Sequence, residues 1–183
     1  MQTTAISSTI AKISSAQFLN GTLTHQSWAV AVNGIKIGDG MAYLTNTGLS
    51  ILIRFPIHEN GTEVTGRAVE ILSHEANSTW FYDDFALRYT VAYVMTGSGN
   101  SIERVVVPAV DSPGPITTEI VAGSLNSTSV AGPTAAAFGC TPWDKVSHIL
   151  YVTTSGASNI PVDGRIRIDA QVLAIDTKLC SLV

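Results

Sequence analysis

From Trp28 onward, apolar and polar positions alternate with a period of two, the pattern of strands with one face buried. Trp28, Val30 and Val32 fall on one side, and Ala29, Ala31 and Asn33 on the other. Asn33-Gly34 supplies a turn signal before Ile35-Lys36-Ile37, and residues 28–37 count as one element. Leu49 to Phe55 form a dense apolar run that ends at Pro56. Leu87, Tyr89, Val91, Tyr93 and Met95 then share one face of a strand, which Gly97-Ser98-Gly99-Asn100 brings to an end. The next strand runs from Ile102 to Val110 and stops at Asp111-Ser112-Pro113-Gly114-Pro115. Shorter strands follow at 116–122, 129–138 and 146–153. After a loop from Ser155 to Pro161, residues 165–175 form the last strand. Ile166, Ile168, Ala170, Val172 and Ala174 line one side of it.

Two segments depart from alternation. Val64, Ala68, Ile71 and Leu72 recur at helical spacing, with Thr62 as N-cap and Glu63 at the positive end of the dipole. This predicts a helix over 62–74. Ile6, Ile10 and Ile13 also fall at helical spacing, but Ser and Thr crowd them, so residues 1–25 read as a flexible arm. Residues 26–183 then form a single domain. The sum is an all-β chain of about eight antiparallel strands, with one short helix between the second and third. Long, irregular connections favour a jelly-roll sandwich over an up-and-down barrel.

Composition sharpens this picture. Charged residues make up 13% of the 183, against a usual share of about 25%. Ser, Thr, Ala and Gly take their place, which suits extended structure and leaves a neutral surface open to association. The net charge of −4 and the scattered Lys and Arg argue against a stand-alone nucleic-acid binder. No segment approaches the roughly 18 apolar residues of a membrane span, and the first residues lack the pattern of an export signal. Cys140 and Cys180 show no metal spacing and are expected as free, buried thiols.

Val146-Ser-His-Ile-Leu-Tyr-Val-Thr-Thr154, the small-residue loop through Asp163-Gly164, and Arg165-Ile-Arg-Ile-Asp-Ala-Gln-Val-Leu173 form a strand–loop–strand pair. With the helix at 62–74, this order of elements resembles the single jelly-roll coat proteins of small icosahedral RNA viruses of bromovirus, tombusvirus and tymovirus type. The resemblance covers residues 26–176 as a pattern of elements. It implies a capsid subunit that self-assembles with identical copies, located in the virion and in the host cytoplasm during assembly. It also implies Ca²⁺ held by Asp clusters at subunit seams, here Asp83 and Asp84. The Asp-x-Asp-x-x-Asp spacing of such clusters is absent. The basic N-terminal arm of bromovirus and tombusvirus shells is missing too, so contact with viral RNA would be weak. Arg165 and Arg167 are its candidate residues.

Candidate chemistry is sparse. His25, His58, His74 and His148 lie far apart, and His148 reads as a half-buried strand residue. No Gly-x-Ser-x-Gly elbow or phosphate loop occurs, and Gly97-Ser98-Gly99 is a turn. Trp80, Phe81, Tyr82 and Phe85 admit three readings: a carbohydrate platform, an assembly contact, or a plug closing one end of the sandwich. Trp143 shares that ambiguity. The sequence therefore predicts a structural coat subunit that is not an enzyme. The alternative is a lectin-like, glycan-binding β-sandwich.

Overall fold

The computed structural model describes residues 31–62, 64, 70–74, 80–109 and 114–178. The arm at 1–25 and Cys180 lie outside these residues. The fold is all-β, and its described strands form three antiparallel sheets. The first contains β1 (Val32–Gly38), β2 (Met41–Asn46), β3 (Ile51–Pro56) and β4 (Glu70–His74). The second contains β5 (Phe85–Arg88), β6 (Val91–Met95), β7 (Ser101–Val106) and β8 (Thr117–Gly123). The third contains β9 (Pro133–Phe138), β10 (Ile149–Thr154) and β11 (Val172–Asp176). One short helix, α1 (Pro142–Ser147), separates β9 from β10.

Within each sheet, consecutive strands are neighbours. A jelly roll instead passes the chain between two sheets through Greek-key connections, so that expectation is corrected, along with the count of eight. The eleven described strands exceed the expected eight at three places: β2, β4 and the division of one expected strand into β5 and β6. Tyr89 takes a left-handed conformation (φ 52°), so the run from Phe85 to Met95 folds into a hairpin. Asn33-Gly34 lies inside β1, and the first hairpin turns at Asp39-Gly40.

The predicted helix at 62–74 is corrected where it can be seen. Residues 70–74 are β4, with Leu72 buried and Ile71 exposed, as alternation on a strand requires. The last strand is shorter than expected, since residues 165–171 are loop and only Val172–Asp176 pair with β10.

The sheets stack face to face, and strands β5, β6 and β7 of the second are covered on both sides. Phe85, Val94 and Val105 pack on Met41, Tyr43, Leu52 and Leu72 of the first sheet. Tyr93, Met95 and Ile102 pack on Ala136, Leu150 and Val152 of the third. Each fully buried large apolar side chain stabilises by about 1.5–3 kcal/mol, so these two layers dominate the stability. The ion pair of Arg54 with Glu70, whose carboxylate is half exposed, adds little beside them. Neighbouring sheets approach most closely along their first strands, β1 to β5 and β5 to β9. They fan outward from that common edge, as the blades of a β-propeller do.

A polar knot is embedded in the first layer. Tyr82 donates to the carboxylate of Glu103, and Ser73 Oγ lies 2.6 Å from the Tyr82 hydroxyl. Removing the hydroxyl strips partners from two buried polar groups. Tyr82→Phe is therefore expected to cost about 1–3 kcal/mol, read as a lower urea midpoint at unchanged slope. An unchanged midpoint would show that the knot contributes nothing.

Candidate functional site

The residues leading into β5 sit where all three sheets meet. The backbone N–H of Asp83 donates to Met95 O of the second sheet at 2.8 Å, and that of Asp84 to Thr134 O of the third at 3.2 Å. From the first sheet, Thr45 Oγ1 donates to the carbonyl of Asp83. Asn33 Nδ2 donates to Asp83 Oδ1 at 2.5 Å, and Lys36 Nζ to Asp84 Oδ1 at 2.8 Å. Lys36 also stands 5.0 Å from the centre of the Phe85 ring. Gly34 makes this convergence possible, because a Cβ there would lie 2.2 Å from Asp84 Oδ1.

Asp83 lines a small, shallow depression that is open to solvent. Phe81, Pro133 and Ile160 supply apolar wall, and Ser98, Thr134, Ser155 and Asn159 supply hydroxyl and amide groups. The walls hold their shape through close backbone approaches. A Cβ at Gly97 would lie 2.4 Å from the Phe81 ring, and Gly97 has a positive φ of 48°. Asn100 accepts from Gly132 N–H and donates to the carbonyls of Ser98 and Leu125, which ties both rims of the depression together.

Burial raises the Asp83 carboxyl from its ordinary 3.8 to about 6. The neighbouring Asp84 charge pushes the same way, while the donors from Asn33 and the Asp84 backbone oppose. A carboxyl that titrates near neutrality beside hydroxyl-bearing walls is suited to proton transfer. Among the described residues, no group of three His, Cys, Asp or Glu side chains gathers to hold a cation.

The other sequence candidates are dispersed. Tyr82 and Phe85 are interior, packed between the first two sheets, which corrects their reading as assembly contacts. Trp80 and Phe81 are half-buried and lean on Gly99 and Gly97. Trp143 is exposed on α1, far along the chain from them. Arg165 pairs with Asp163 at 2.7 Å, and Arg167 donates to the Ser158 carbonyl, both on an exposed loop. Cys140 is exposed, which corrects the expectation of burial.

His148 is the left-handed C-cap of α1, not a strand residue. Asp144 serves that helix as a cap: the Thr141 hydroxyl holds its carboxyl below the usual range, and Tyr151, donating to it, is pushed up. Sequence reasoning passed over Asn33, Thr134, Ser155 and Asn159. Asn33 carried a signal, but it was one that reads more readily as a turn.

No family model matches the sequence, and no curated protein does. A solved structure shares the arrangement of sheets with a TM-score of 0.52 at 18% identity. It is a Thermus thermophilus protein that carries the provisional description oxidoreductase (glucose dehydrogenase). The match covers 79% of this chain and 43% of that one, so this chain spans less than half the length of its neighbour. At this identity the likeness is one of fold. It corrects two expectations, the viral coat subunit and the chain that is not an enzyme: the shared arrangement belongs to a protein described as an oxidoreductase, not to a shell.

The raised Asp83 carboxyl gives stability a defined pH dependence. A folded value near 6 above an ordinary 3.8 means the folded state holds the proton more tightly. The stabilisation from that proton is complete below pH ~4 and is lost as the pH rises through ~6. Asp83→Asn should therefore gain thermal stability relative to the parent at pH 7.5, with the advantage shrinking to a constant offset below pH 4. Melting curves across pH 3.5–8 check this, and a difference that does not vary with pH would refute it.

Proposed function

We propose that this chain belongs to an enzyme that binds a polyhydroxylated compound at the rim of the Asp83 depression and moves a proton at one of its hydroxyl groups. The carrying observation is the half-buried Asp83 carboxyl, fixed by Asn33 and set among hydroxyl and amide groups. Hydroxyls on a ligand need both donors and acceptors, and Ser98, Thr134, Ser155 and Asn159 offer both. Phe81 gives a flat apolar wall of the kind that packs against the C–H face of a sugar ring. The likeness to a protein described as a glucose dehydrogenase supports the same substrate class.

In the step itself, the ionised Asp83 takes the hydroxyl proton. The O–H bond breaks, its electron pair stays on the ligand oxygen, and the carboxyl becomes neutral. A base that titrates near 6 is ionised at neutral pH and still matched to the transfer. Lys36, 2.8 Å from Asp84 Oδ1, holds that side chain to the first sheet and away from the ligand-facing Asp83.

The test is a panel of monosaccharides and sugar lactones followed by calorimetry and by turnover assay. Saturable binding is expected below about 10 mM. Asp83→Asn should retain the fold and lose about 10²–10⁴-fold in turnover. In the parent, kcat/KM should fall as the pH drops below ~6. No binding across the panel, or full turnover in the Asn variant, would overturn the proposal.

A further inference from the structure

One irregularity in the first sheet sits beside Asp83. Val32 pairs with Asn46 and Ile35 with Leu44, so Asn33 and Gly34 of β1 together oppose Thr45 of β2. Two residues against one is a β-bulge, which re-aims a side chain out of the alternation of its strand. Gly34 N–H donates to Thr45 Oγ1 at 2.9 Å, and the same hydroxyl donates to the Asp83 carbonyl. The Asn33 amide is thereby brought to the Asp83 carboxyl, donating from Nδ2 to Oδ1 at 2.5 Å. It is braced by Thr47 Oγ1 at 3.2 Å, and Thr47 is buried with its N–H on the Ala31 carbonyl.

We propose that Asn33 is the positioning residue of Asp83: it grips Oδ1, so that Oδ2 is the atom that takes the proton from the ligand hydroxyl. This rests on the reading of Asp83 as the proton acceptor. In the step, the ligand O–H bond breaks and an Oδ2–H bond forms, while the electron pair stays on the ligand oxygen. Oδ1 accepts from Asn33 before and after the transfer, first as a carboxylate oxygen and then as a carbonyl oxygen. The bond is stronger to the ionised form. Asn33 is therefore the larger of the two donors that oppose the rise caused by burial. The charges facing Asp83 are Asp84, which pushes the same way as burial, and Lys36 of β1, which pairs with Asp84. Among the described residues, those lining the depression from Gly97-Ser98 and from the third sheet are uncharged.

Asn33→Ala tests this, and it removes no core, because Asn33 is exposed. The first readout needs no ligand: the gain in melting temperature from Asp83→Asn, followed over about pH 3.5–9 in both backgrounds. With Asn33 present the gain levels off near pH ~6, where folded Asp83 has lost its proton. In Asn33→Ala the levelling-off should move up by about one pH unit. The second readout is kcat/KM, whose acid limb should move the same way, a loss of about tenfold at pH ~5. A bulge that serves stability alone would lower every melting temperature and move neither. If Asn33→Ala loses its far-UV sheet signal, Asn33→Leu, of nearly the same shape and without a donor, takes its place. A levelling-off that stays near pH ~6 overturns the inference, whatever the turnover panel shows. One that moves in a protein with no turnover overturns the reading of the depression, and the role of Oδ2 with it.

Discussion

The architecture rests on the closeness of the first strands of neighbouring sheets. Packed sheets ordinarily stand about 10 Å apart, the thickness of two interdigitated side-chain layers. Along β1, β5 and β9 the separation is smaller, and large side chains cannot face one another there. Gly34, Gly38, Ala86 and Ala136 answer this constraint from one strand or the other. Further out the fan widens, and Tyr43, Leu52, Tyr93 and Met95 fill the growing space. Small residues at the axis and large ones outside it therefore follow from a single geometric condition.

The same line of closest approach gives the chemistry its place. Asp83 and Asp84 are held there by hydrogen bonds from or to all three sheets, through Thr45, Met95 and Thr134. Such a position is costly for a carboxylate, because burial removes water and a second carboxylate stands beside it. The Lys36–Asp84 pair is partly exposed on both sides and adds little net stability. Its physical effect is to fix Asp84 and balance its charge, which leaves Asp83 as the carboxyl that titrates near neutrality. The apolar layers on either side supply the stability that this arrangement spends.

The period-two pattern made the all-β class legible, because alternation survives in strands such as β10 and β11. The number of strands was not legible. Tyr89-Thr90 turns the chain without glycine or asparagine, so two strands read as one. Asn33-Gly34 has turn chemistry but serves close packing against Asp84 instead. At 70–74, Ile71 and Leu72 satisfy helical spacing in sequence and yet point to opposite faces of β4. The helix among the described residues was written in Thr141-Pro142-x-Asp144, a capping box with proline at its first position. Of the candidate site, Asp83 stood out as one of two adjacent carboxylates. Its companions Asn33, Thr134 and Ser155 come from distant parts of the chain, and only the folded fan brings them together.

The low charge of the chain also finds its explanation inside the fold. A neutral composition reads naturally as a surface meant to be covered by identical neighbours. The structure offers a nearer cause. Strands β6 and β7 of the second sheet are covered on both faces and have almost no position where a charge would meet water. Glu103, which breaks the rule, is held by Tyr82 and Ser73 instead of by solvent. On β2 and β3 every residue but Pro56 is buried, and Arg54, the one charge among them, reaches Glu70 and the Pro108 carbonyl. Charge is scarce on these strands because both of their faces are covered. Exposed aliphatic residues mark the surfaces where composition and architecture disagree, among them Ile35 and Ile37 on β1, Ile71 on β4, Ile120 on β8 and Val172 on β11.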